Sequence, residues 1–219
     1  MRLGREPVIT QLGRLALAGH TGVLRCPRDD GGTIRLYRGE VTGAESPGIP
    51  DLASRLARWP TGPGAGAPSA LERAWVTREA IADAALAMLT QAPRSARFTA
   101  GGVPSPDGAG TMTVGEMLAE VNRRREITRQ LPAAFTPDTA VARNPLFNAR
   151  GVRVSASQWS LLVRMNEPTT SRGLALDRGT SVFKTTLEVF RLITLGLVAM
   201  AGGPPPDDRV ISFIRATSG

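Results

Sequence analysis

Residues 21–46 read TGVLRCPRDDGGTIRLYRGEVTGAES, and the fold class follows from how this stretch is punctuated. Residues 22–26 form a short run bounded by glycine and proline, residues 27–32 are a turn cluster, and residues 33–37 alternate apolar and polar side chains with the period of two that a half-buried strand requires. Arg38-Gly39-Glu40 reads as a second tight turn and residues 41–45 as a third short strand, so the economical arrangement is a small antiparallel meander.

Helical patterns lie on both sides of it. Upstream, Val8, Ile9, Leu12, Leu15 and Ala16 recur at three- and four-residue steps, which predicts an amphipathic helix ended by Gly19. Downstream, Asp51 is placed to cap a helix through Leu52, Leu56 and Trp59 that stops at Pro60. The glycines at 62, 64 and 66 follow no strand and lead to no GK[ST] ending, so a phosphate cradle is not expected there. Residues 70–90 predict a longer helix with Leu71, Trp75, Ile81, Ala84, Ala85, Met88 and Leu89 on its inner side. Residues 95–100 predict a strand, and 101–110 a flexible connection. The first domain is expected to span 1–111, with an α+β fold.

Thr113, with Glu116 three residues later, opens a capped helix to residue 131 carrying Val114, Met117, Leu118, Val121 and Ile127. Arg123, Arg124 and Arg125 lie on this helix and are expected to spread around its solvated surface, with contact to phosphate or an acidic partner as the sharper alternative. Residues 112–151 are read as this helix plus an irregular connection. In 152–219, Ser155 caps a helix with Trp159, Leu161, Leu162, Val163 and Met165, residues 169–176 form a second, and Ser181 caps a third that reaches Leu195 and closes at Gly196. Residues 197–200 and 210–214 then flank a proline-rich tip, so three helices and a two-stranded wing predict a winged helix-turn-helix.

Composition removes most chemistry. The chain has 219 residues, 42% of them apolar, and a net charge of +8, values that fit a folded protein with a sizeable core. Cys26 is the single cysteine and His20 the single histidine, which leaves no intramolecular disulfide and no metal-ligand cluster. Cys26 is expected to be a buried strand residue, and His20 to sit in a turn. No stretch approaches the roughly 20 apolar residues of a membrane span, so a cytoplasmic protein without cofactor, metal or catalytic residues is expected. All but one of the 27 basic residues are arginine, so part of the charge reflects codon composition.

The pattern TGVLR…GGTIRLYRGEVTGAES, with a helix before it and two helices and the strand SARFTA after it, resembles the bacterial PATAN domain. The glycine-led "G-x-(V/I)-x-x-A" element of that family is matched by Gly39-Glu-Val41-Thr-Gly-Ala44. The segment SASQWSLLVRMNEPTTSRGLALDRGTSVFKTTLEVFRLITLGLV is similar to the winged-helix tails that follow PATAN domains, departing from them at Glu167-Pro-Thr-Thr170 and at Gly173. The resemblance implies a non-enzymatic regulatory protein acting through protein contacts, with a tail that binds DNA or protein.

Two functions follow as expectations. In the first, the protein is a DNA-binding transcriptional regulator. Phe183, Leu187, Phe190 and Ile193 face the core of the third helix, while Ser181, Lys184, Thr185 and Arg191 with Arg172 and Arg178 upstream contact bases or phosphates. Within 152–202 six basic residues stand against Glu167, Asp177 and Glu188, a modest surplus for phosphate neutralisation. In the second, the protein is a signalling adaptor whose two domains both bind proteins. A homodimer through the helix at 113–131 and the first domain is expected with the operator reading.

Overall fold

The computed structural model describes residues 7–26, 31–59, 66–90, 96–106, 110–147 and 151–201. It is a mixed α+β protein with two small antiparallel sheets, and its contacts divide it into two compact units, Met1–Leu131 and Pro132–Gly219.

The first unit opens with α1 (Val8–Leu17), which buries Val8, Leu12 and Leu15 and ends before Gly19 in the left-handed region at φ 64°. The meander follows as β1 (Gly22–Cys26), β2 (Gly32–Tyr37) and β3 (Glu40–Glu45), and β4 (Arg97–Ala100) pairs antiparallel with β1, giving the strand order β3-β2-β1-β4. Val41 and Ala44 are both buried although three residues apart, a spacing that puts side chains on opposite faces of a regular strand. A register shift between Arg35 and Leu36 resolves this, because Arg35 pairs with Gly43 and Leu36 with Val41, leaving Thr42 as the extra residue of a bulge. Gly39 turns the chain at φ 83°, where a Cβ would meet the Ala16 carbonyl oxygen of α1 at 2.3 Å. The spacing of the Gly39–Ala44 element is therefore set by a turn and a bulge.

Asp51 caps α2 (Leu52–Ala57) by accepting from the Ser54 amide at 2.7 Å. The buried residue of α2 is Arg55, and not a leucine as its pattern predicts. Helix α3 (Ala70–Thr90) buries Val76, Ala80, Ile81, Ala84, Ala85, Met88 and Leu89, whereas Leu71 and Trp75, expected on the inner side, are exposed because the first turns of the helix extend past the core. Helix α4 (Val114–Arg129) begins with the expected capping box, in which Thr113 Oγ1 accepts from the Glu116 amide and the Glu116 carboxylate accepts from the Thr113 amide. Its stripe of Val114, Met117 and Val121 is buried in the same core as Leu24, Ile34, Leu36 and Val41. This helix therefore belongs to the first unit and is not a linker, and the stripe expected to form a dimer seam is buried within the unit.

The second unit begins in the segment that sequence periodicity leaves irregular. Phe135 is buried, and β5 (Ala140–Arg143) is the central strand of a sheet ordered β6-β5-β7, with β6 (Thr169–Thr170) and β7 (Val198–Met200) on its flanks. Helix α5 (Ala156–Arg164) is capped by Ser155, α6 (Ser171–Arg178) by Thr170, and α7 (Val182–Thr194) by Ser181. The second helix starts two residues later than expected because Thr169 and Thr170 pair with β5; the Gly173 amide donates to Thr170 Oγ1 at 2.9 Å, and a Cβ at Gly173 would lie 3.3 Å from the hydroxyl oxygens of both threonines. Gly196 follows α7 at φ 74°, where the pattern places the stop. The expected partner strand at 210–214 and the proline-rich tip before it lie outside the described residues.

Candidate recognition surface

Helix α7 and its approach carry the residues expected to touch nucleic acid, and the fold assigns most of them other work. Ser181 is buried, and its hydroxyl accepts from the Lys184 amide at 3.1 Å, the N-cap bond of α7. Thr185 is buried as well, with its hydroxyl 3.1 Å from that of Thr180. The inward face of α7 is Val182, Phe183, Thr185, Thr186, Val189, Leu192 and Ile193, so the expected face of Phe183, Leu187, Phe190 and Ile193 is rotated from the real one. Phe190 is half-buried against Phe135, with ring centroids 5.4 Å apart.

The cations meet carboxylates. Arg172 donates through Nε and Nη2 to the two oxygens of Asp138 at 2.6 and 2.9 Å, and this bidentate pair holds the Asp138 carboxyl below its ordinary range. Arg191 donates to Glu188 one turn earlier at 2.8 Å, and Arg164 to Asp177 at 3.1 Å. Arg178 is half-buried, and burial together with the charge of Arg164 lowers its pKa. Lys184 is exposed on the outer side of α7, as is Arg191 two turns along. A phosphate approaching this face meets guanidinium groups already neutralised by side chains of the same unit.

Arginines 123 to 125 do not form one patch. Arg123 is exposed and grips Glu120 with two bonds of 2.7 Å. Arg124 is 1% exposed and donates to Glu120 at 2.6 Å, to Asp83 at 2.6 Å and to Glu79 at 3.0 Å. Arg55 from α2 reaches the other oxygen of Asp83 at 2.6 Å, so one buried carboxylate joins α2, α3 and α4. Hydrogen bonding from Arg123, followed by the bond from Arg124, pulls the Glu120 carboxyl down to about 2. Arg125 is half-buried. This network holds three helices together and presents Arg124 to no solvent-borne ligand.

A second surface, which the expected contacts do not include, lies on α5. Leu161 and Leu162 of α5 and its C-cap Met165 are buried, while Trp159 and Val163, one helical turn apart, are 61% and 49% exposed. The signal was available, since five large apolar residues within seven positions exceed what one face of a nine-residue helix can bury. Leu176 of α6 is exposed as well.

The single cysteine and the single histidine are not brought together. Cys26 is buried and its thiol pKa is raised by that burial, while His20 lies beyond the opposite end of β1 and packs its ring against Phe98 at 5.9 Å. Among the described residues no group of His, Cys, Asp and Glu is arranged to hold a metal ion, and no helix is long and apolar enough to cross a membrane. Comparison of the chain with protein-family models, with curated proteins and with solved structures finds no significant match.

Proposed function

We propose that this chain is a non-enzymatic regulatory protein whose second unit binds another protein, with the outer face of α5 as its contact surface. The observation that carries the reading is the solvent-exposed pair Trp159 and Val163 on a helix whose other face is anchored in the core. An exposed tryptophan flanked by a second apolar residue is the composition of a binding hot spot, where burial against a partner gains energy without ordering a flexible side chain. The neutralised arginines around α7 favour the same reading, because DNA affinity comes largely from cations free to displace counterions. Three helices followed by a strand remain compatible with a winged helix, a fold that serves DNA and protein partners alike.

The DNA reading keeps one specific observation, the exposure of Lys184 and Arg191 on the same side of α7. Both readings are tested together by affinity capture of partners and by fluorescence anisotropy with pooled genomic fragments at two salt concentrations. The Trp159→Ala/Val163→Ala variant is expected to lose its captured protein, and the Lys184→Ala/Arg191→Ala variant to keep it. Sequence-selective DNA binding that is abolished by Lys184→Ala/Arg191→Ala and unchanged by Trp159→Ala/Val163→Ala would overturn the proposal.

A further inference from the structure

We propose that the open edge of β4 in the first unit accepts an extended acidic peptide segment as a fifth strand, with Arg25 and Arg97 reading its carboxylates. The inference is independent of the contact surface assigned to α5.

The backbone supplies the first part. Strand β4 ends the order β3-β2-β1-β4, and among the described residues no strand lies on its outer side. The Gly101 amide donates to the Thr21 carbonyl at 2.9 Å, and Val23 stands opposite Thr99 and Arg25 opposite Arg97. Hydrogen-bonded and non-hydrogen-bonded pairs alternate in an antiparallel ladder, so these two pairs carry the bonds to β1. The N–H and C=O groups of Phe98 and Ala100 then point away from the sheet, where an added strand would find donors and acceptors in register.

The side chains supply the charge. Arg25 and Arg97 face each other across β1 and β4 on the outer face of the sheet, both exposed. Like charges directly opposite destabilise a strand pair. Neither has a carboxylate partner among the described residues, whereas Arg35, on the other side of β1, is held by Glu45 at 2.6 Å. An acidic strand laid along β4 would relieve this repulsion. A second copy of the chain would not relieve it, since antiparallel pairing of β4 with itself through Phe98 and Ala100 sets Arg97 opposite Thr99 or Gly101 of the copy and adds arginines to this face without a carboxylate. A nucleic acid would satisfy the guanidinium groups but offers no backbone to alternate with the amide and carbonyl groups of Phe98 and Ala100.

The register of β4 is pinned for such a role. Gly22 leaves the space over β1 that the Phe98 ring fills, because a Cβ there would lie 2.5 Å from that ring and 2.3 Å from the Thr99 carbonyl oxygen. The His20 ring packs on the same phenyl group.

The test uses the full chain and a fluorescein-labelled peptide of alternating valine and glutamate, with a lysine-for-glutamate version as control. Arg25→Glu/Arg97→Glu is expected to weaken binding of the acidic peptide at least about tenfold, and Arg25→Gln/Arg97→Gln by less, with affinity falling as salt rises. Amide exchange at Phe98 and Ala100 is expected to slow when the peptide binds, which capture by charge alone would not produce. Equal affinity for both peptides, binding indifferent to the double variants, or unchanged exchange at Phe98 and Ala100 would overturn the proposal. So would a single-stranded oligonucleotide that binds more tightly through the same two arginines, or a dimer in sedimentation that the double variant dissociates.

Discussion

Asp83 receives guanidinium groups from two helices at a place that water does not reach, and Arg124 carries the largest side chain among the fully buried residues. Removing one partner from such a pair leaves the other charge desolvated and unmatched, a loss of about 3–5 kcal/mol. Arg124→Met is therefore expected to lower the urea midpoint by that equivalent, and Arg124→Lys to recover only part of it, since an ammonium cannot reach Glu120, Asp83 and Glu79 together. Glu120 gives the network a pH signature. Its folded-state pKa of about 2 lies below the ordinary glutamate value, so its contribution is fully present above the unfolded pKa and is lost as the pH falls through the interval down to about 2. Stability measured by urea unfolding is expected to decline between about pH 5 and pH 2, and Glu120→Gln to flatten that decline. Glu120 lies at pairing distance before Arg123 and Arg124 on the same helix, but the part of the network that crosses between helices is not legible in the run of three arginines. The carboxylates that bury Arg124 come from 41 and 45 residues earlier, and only the packing of α3 on α4 brings them together.

At the scale of elements, caps and stops were legible and faces were less so. Asp51, Thr113, Ser155 and Ser181 cap the helices they were expected to cap, because an N-cap is a local bond between a side chain and an amide three residues on. The inward face of α7 lies about one residue, or about 100° of rotation, from the face its apolar pattern predicts. Thr185 and Thr186 count as polar in any periodicity, yet both are buried with their hydroxyl groups near Thr180 Oγ1 and the Val182 carbonyl. Ser181→Ala is accordingly expected to cost about 1 kcal/mol of stability as a lost cap, and Lys184→Ala to stay within about 0.5 kcal/mol as a surface change. Thermal or urea unfolding of the two variants separates the helix-capping role from a ligand-contact role. In the first sheet, Gly22→Ala is expected to destabilise by about 1–3 kcal/mol, because the new methyl group collides with β4 backbone that cannot move without losing its pairing to β1. Faster amide exchange along β4 than along β2 would localise that damage.

At the scale of the whole chain, the boundary between units falls at residues 131 and 132, and not at 111 and 152 as sequence texture alone predicts. The difference has a physical cause at each end. Helix α4 follows a stretch rich in proline and glycine that looks like a domain end, yet its stripe completes the core over the first sheet and its Arg124 neutralises Asp83. Strand β5 has four residues, too few for alternation to register, yet Val141 is fully buried and β5 is the only described strand to which β6 and β7 both pair. Fragments cut at the two kinds of boundary should therefore behave differently. A fragment of residues 1–131 is expected to unfold cooperatively in urea, whereas 1–111 exposes the apolar side of α3 and leaves Asp83 with Arg55 alone, and is expected to aggregate or to lose its cooperative transition. Likewise 132–219 is expected to fold and 152–219 to fail, since the shorter piece lacks Phe135 beneath Phe190 and the strand that joins β6 to β7. If 1–111 proved as stable as 1–131, the burial of Val114, Met117, Val121 and Arg124 would have to be replaced by some other closure of the first core, and the assignment of α4 to that unit would fall with it.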